Sequence, residues 1–143
     1  GYIHVNIQQR EPVLRVLTGE GYYVDCDGRV MPLSSKFTSR VVVATGVIDK
    51  KFACEKLGPF VMKLKNEPFW DAYIEQLVVR SNEDIVMIPK VGDFRIVLGK
   101  IDDCEARLEK LMLFLKYGIM KKGWNRYREI NLKFDNQVVC VRK

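Results

Sequence analysis

Four cysteines, one histidine and a pair of aspartates are the residues of this chain best suited to chemistry. Cys26, Cys54, Cys104 and Cys140 are widely spaced, and no two form a C-x-x-C pair. A zinc site draws its ligands from short, paired spacings. The pattern therefore argues against zinc, and His4 sits far from the cysteines in sequence. In an oxidising compartment four cysteines permit two disulfides, in any of three connectivities. The plainer expectation is that each thiol is a small buried apolar side chain.

Asp25 and Asp27, in "YYVDCDGRVMP", could form a carboxylate pair or begin a calcium loop. An EF-hand loop needs further oxygen ligands and a glutamate at a fixed later position, and these are missing. Asp27-Gly28 instead suits the positive φ of a tight hairpin turn. Ser34-Ser35 lacks a G-x-S-x-G frame, and no G-x-G-x-x-G or G-x-x-x-x-G-K occurs. With no nucleophile–base pair, metal cluster or phosphate loop, the expectation is a protein that is not an enzyme and uses no cofactor or metal.

The net charge of +6 suits nucleic acid, an anionic surface or an acidic partner. It is dispersed, however: no run of like charge exceeds a pair such as Lys50-Lys51 or Lys121-Lys122. Tyr22, Tyr23, Phe94, Tyr127 and Phe134 fall in strand-like stretches beside basic residues, as a nucleic-acid stacking platform requires. No RNP-like motif accompanies them, and aromatics in strands are more often core. A basic nucleic-acid-binding sheet is thus the alternative function, and a cell-envelope enzyme a weaker one.

The elements that position these residues are legible. A chain of 143 residues fits one compact domain, or one domain with a remnant of another. No stretch is long enough to span a bilayer, and no signal-peptide pattern is present. The chain opens without methionine on the alternating "YIHVNIQ", which reads as a strand of an excised piece. Pro12 marks a seam before "PVLRVLT". "RVVVATG" at 40–46 suits a buried strand or an extended connection.

Phe52, Ala53, Leu57, Phe60, Val61 and Leu64 recur at helical intervals, with Asp49 as N-cap. Gly58-Pro59 should kink or divide that helix. "AYIEQLVVRS", "DIVMIPKV" and "FRIVLGK" predict an antiparallel meander with turns at Asn82-Glu83 and Gly92-Asp93. A second helix carries Ala106, Leu108, Leu111, Met112, Leu115 and Ile119 on one stripe. Asp102 and Asp103 lie at its start, Lys121 and Lys122 at its end, and Gly123 is its C-cap. "YREINLKF" and "VVCVR", joined by "DNQ", close the chain as a hairpin. The fold class is α+β: an antiparallel or mixed β-sheet with two main helices packed on one face, and a C-terminal β-hairpin with an exposed edge strand.

Taken in order, "QREPVLRV", "GYYVDCDGRVMPLS", "VVVATG", "FWDAYIEQLVV", "DIVMIPKVGDFRIVLG", "KLMLFLKYG" and "YREINLKFDNQVVCV" resemble the extracytoplasmic part of FtsQ/DivIB cell-division proteins, in the wording of Bacteroidetes-type bacteria. The resemblance covers essentially the whole chain. It implies that residues 1–10 are the last strand of a truncated POTRA domain and that residues 11–143 are the β-domain. It also implies a non-catalytic scaffold of the septum-building divisome. Such a protein is held on the periplasmic side of the inner membrane by one transmembrane helix absent here.

The partners so implied are FtsB/FtsL-type proteins, added as a strand along the terminal strand of the β-domain. The family's binding positions fall on Phe134, Asn136, Gln137, Val138, Val139, Cys140, Val141 and Arg142. Gln137 stands where some relatives carry glycine, and Arg142 near where some carry tryptophan. An open edge also predicts edge-to-edge self-pairing of the isolated domain.

Overall fold

The computed structural model describes residues 11–32, 41–119, 127–133 and 138–142. Among these, nine strands form one mixed sheet: β1 (Pro12–Val16), β2 (Tyr22–Asp25), β3 (Val30–Pro32), β4 (Val42–Gly46), β5 (Ile74–Arg80), β6 (Asp84–Pro89), β7 (Arg95–Gly99), β8 (Tyr127–Asn131) and β9 (Val139–Arg142). Their order across the sheet is β3-β2-β1-β4-β5-β6-β7-β8-β9. The helices are α1 (Lys50–Phe52), α2 (Gly58–Asn66), α3 (Pro68–Tyr73) and α4 (Glu105–Phe114). The predicted strand "YIHVNIQ", Ser34-Ser35, Lys121 to Gly123 and the "DNQ" turn lie outside the described residues.

Connection length sets strand direction. Short turns make β1–β2, β2–β3, β5–β6, β6–β7 and β8–β9 antiparallel, so the expected meander and terminal hairpin are present. Long crossovers make β1–β4, β4–β5 and β7–β8 parallel. Helices between β4 and β5 and between β7 and β8 return the chain to the end where it started, so the second strand runs alongside the first, whereas β2 and β3 lie between β1 and β4.

One face of the sheet holds the core. Ile74, Leu77, Ile85, Met87, Ile96 and Leu98 from β5–β7 are buried there with Phe60 and Leu64 of α2 and Leu108 and Leu111 of α4. Full burial of side chains of this size is worth roughly 1.5–3 kcal/mol each. Across the strands this face reads Met87, Ile96, Ile130, Cys140, and the other face reads Val78, Val86, Val97, Asn131, Val139.

The first helical run absorbs its proline without breaking. Asp49 caps it, its carboxylate accepting the Phe52 N–H at 2.7 Å. A π-helical turn over Ala53–Leu57 then joins α1 to α2, and the Gly58 N–H donates to the Ala53 carbonyl five residues back. The wider turn sits just ahead of Pro59, which has no N–H to donate. Gly58 also lets the helix close onto β2: a Cβ there would lie 3.2 Å from Val24 Cγ1.

Two expectations need correction. Ala72 and Tyr73 belong to α3, not to β5. Pro68 opens α3, the Glu67 carboxylate accepts the Phe69 N–H, and Phe69 stacks on Tyr73 one turn later at 5.3 Å. These local contacts outweigh the strand-like look of "AYIEQLVV". In α4, Ala106 is exposed, while Leu108, Leu111 and Leu115 carry the stripe. Asp102 and Asp103 precede the helix in a turn, with Asp103 at φ 54°. The start of α4 is instead tied to β7 by Arg107, whose guanidinium donates to the carbonyls of Leu98, Lys100 and Asp102.

Gly46 ends β4 at φ +109°, and a Cβ there would sit 2.1 Å from the Val79 carbonyl oxygen. Gly46→Ala is expected to cost about 3 kcal/mol or more. Urea unfolding followed by circular dichroism measures this; a loss under about 0.5 kcal/mol would show that β4 and β5 separate without cost.

Candidate partner-binding edge

A sheet of this order has two ends, and they differ. At one end β3 is three residues long and includes Pro32, which lacks a backbone donor. Short length and proline are the usual means by which an edge is closed to further strands. At the other end β9 is Val-Cys-Val-Arg, and every residue keeps its N–H. Its inner side pairs with β8 in the register Asn131–Val139, Ile130–Cys140, Glu129–Val141 and Tyr127–Arg142, with a bulge between Tyr127 and Glu129. No strand among the described residues lies on its outer side.

Alternation splits the β9 side chains between the two faces. Val138 and Cys140 pack against the core cluster beside Tyr127. Val139 and Val141 point to the opposite face, level with Asn131 and Glu129. All four are half-buried, and Arg142 is exposed. The apolar row of the core face thus runs out to the edge through Ile130 and Cys140, while on the other face Val139 and Val141 lie beyond Asn131 and Glu129.

Of the predicted binding residues, Val138 to Arg142 therefore come together along one open edge. Phe134, Asn136 and Gln137 lie outside the described residues. Sequence reasoning missed the support beneath the strand. The Asp84 carboxylate sits 2.5 Å from Arg80 and 3.6 Å from Lys133, which links the β5–β6 turn to the chain leaving β8. The Lys133 N–H also donates to the Asn131 side chain at 2.9 Å. No local pattern marks a contact between residues so far apart in sequence.

The other chemistry-bearing residues have structural places. Asp25 is buried and its carboxylate accepts the N–H groups of Asp27 and Arg29, while its own N–H donates to the Arg29 carbonyl. It builds the hairpin turn, with Gly28 at φ +75°. Tyr22, Tyr23 and Phe94 are buried and Tyr127 half-buried, so these rings offer no stacking platform. A cavity of about 630 Å³ opens at the start of β1, β4 and β5, lined by Arg15, Leu64, Trp70, Asp71, Glu75 and Lys90 among others. Among the described residues its lining includes no histidine, cysteine, serine or threonine. Among the described residues no three of His, Cys, Asp and Glu are grouped to hold a metal ion, and no helix is long and apolar enough to cross a membrane.

No cysteine is disulfide-bonded. Cys104 is fully buried, as expected, and burial pushes its thiol up from its ordinary pKa. Cys54 is half-buried and also raised, by burial and then by the Asp25 carboxylate. Cys26 is exposed in the β2–β3 turn, contrary to the expectation of burial. A turn tip has no layer above it to cover a side chain.

The described residues form an α+β domain with one mixed sheet and helices on one face, and β9 is the last strand of that sheet at one end. The family model described as FtsQ/DivIB, C-terminal related, matches residues 11–141, and the chain belongs to this family. The match runs from the residue before β1 to the last residue but one of β9. Membership assigns a cell-division role within a family of non-enzymatic division scaffolds. A comparison with curated protein sequences finds none that matches.

Two measurements check this site. Thiol labelling of the native protein at pH 8 should modify Cys26 first and Cys104 only on unfolding, because the thiolate reacts and burial suppresses it. Rapid native labelling of Cys104 would contradict its placement. Hydrogen exchange should find the outward N–H groups of β9 at least about a hundredfold less protected than those of central β6. Equal protection would mean that the β9 edge is covered.

Proposed function

We propose that the chain is the partner-binding β-domain of an FtsQ-type division protein, and that β9 receives an added strand from an FtsB/FtsL-type partner. The observation that carries this reading is the contrast between the sheet's two ends. β3 is shortened and carries Pro32, whereas β9 ends the sheet with its donors intact and apolar residues on both faces. Main-chain hydrogen bonds to β9 supply affinity, and side chains alternating over Val139 and Val141, or over Val138 and Cys140, supply selectivity. Phe134, Asn136 and Gln137, which precede the strand in sequence, and Arg142 at its end complete the proposed binding positions. The domain's net charge of +6 favours an acidic partner segment.

In this reading residues 1–10 are the last strand of a POTRA domain and residues 11–143 the β-domain. The parent protein is a single-pass inner-membrane protein with this domain on the periplasmic side, at the division septum. It acts as a scaffold and not as an enzyme. The buried strand aromatics and the dispersed charge speak against the nucleic-acid alternative.

The test is binding of an FtsB/FtsL-type periplasmic segment from the same organism, by calorimetry, to the wild type and to Val139→Pro and Cys140→Pro. Adjacent residues of a strand send their N–H groups to opposite sides. One of the two prolines therefore removes an outward donor and the other an inward one. The outward variant should stay folded and bind about tenfold or more weakly. Wild-type affinity in both folded variants would place the interface elsewhere.

A further inference from the structure

When no partner strand is bound, we infer that β9 pairs with β9 of a second copy of this chain, antiparallel about a two-fold axis through Cys140. The inference uses the same open edge as the proposed function but does not require that any other protein bind there. A two-fold interface must be self-complementary: the same patch meets itself in reverse. β9 meets that condition in this register. Val139 lies opposite the partner copy's Val141, Val141 opposite its Val139, and Cys140 opposite its counterpart. Arg142 falls opposite Val138 at either end of the pair.

The charges permit it. Four residue steps along the pair separate the two Arg142 positions, about 14 Å at the rise of an antiparallel strand. That distance exceeds the screening length at physiological salt. No other charged residue lies on β9.

Both faces gain cover. The core-side row Met87, Ile96, Ile130, Cys140 would continue across the axis into the same row reversed. On the other face Val139 and Val141, half-buried in the single chain, would each acquire a valine neighbour. The opposite end of the sheet cannot pair equally well, because Pro32 interrupts its donors. The contact pairs only five residues of each strand, Val138 to Arg142, well below the area of a stable dimer. It is therefore a weak, concentration-dependent association that a longer, better-matched strand displaces.

Sedimentation equilibrium of the chain alone, from about 10 µM to about 1 mM, tests this without any partner. The apparent mass should rise from 16.6 kDa towards twice that value. Val139→Lys and Val141→Lys should each shift the rise at least about tenfold higher in concentration, since an edge lysine is an established block to pairing. In a Cys26→Ser background, oxidation with copper phenanthroline should trap a dimer through Cys140, because directly opposed antiparallel residues fall within disulfide reach. Cys140→Ser should abolish the trapped species. A mass of one chain over the whole range would overturn the inference, as would a dimer indifferent to both lysines and lacking the Cys140 cross-link. Neither result bears on binding of a different strand, so failure here is distinct from failure of the proposed function.

Discussion

A sheet that does not close into a barrel must end twice, and at each end a row of backbone donors and acceptors lacks a strand. That constraint organises this molecule. Among the described residues one end is a three-residue strand containing Pro32 and the other is Val139–Arg142. Nothing in the covalent order requires such asymmetry. Among the described residues the β8–β9 hairpin lies at the end of the sheet opposite β3.

The rest of the fold holds that strand in position. The β5–β6–β7 meander forms the rigid middle, buried on one face beneath α2 and α4. The parallel pairing of β8 with β7 is imposed by α4, which carries the chain from the end of β7 back to its start. Arg107 ties the start of α4 to carbonyls at the end of β7. Asp84 joins Arg80 and Lys133, although an ion pair as exposed as these contributes little stability alone. Its value is positional: it fixes the end of β8 from which the final turn departs.

Much of this was legible in the sequence because it is local. The N-cap at Asp49, the turn chemistry of Asp25 to Gly28, the meander and the terminal hairpin follow from residue type and period within a few positions. The edge strand was legible for the same reason: a valine-rich segment after a turn reads as one arm of a hairpin, here β8–β9. The parallel pairs were not, because strand direction depends on where a crossover lands. The α3 helix was missed because local capping at Glu67 and Pro68 carries Ala72 and Tyr73 into the helix, and the strand begins only at Ile74. Cys26 was misjudged because burial is set by layers, and a turn tip lies outside them. The Asp84–Lys133 contact joins residues nearly fifty positions apart, which no short-range pattern encodes.

The central claim is that β9 is a receiving edge. The most direct test is an amide-resolved NMR titration of the domain with the FtsB/FtsL-type segment. The account predicts that shift changes concentrate on β9 and the facing residues of β8, and that the outward β9 amides become protected from exchange. Changes centred on β3 or on the cavity beside Trp70, with β9 unmoved, would contradict it.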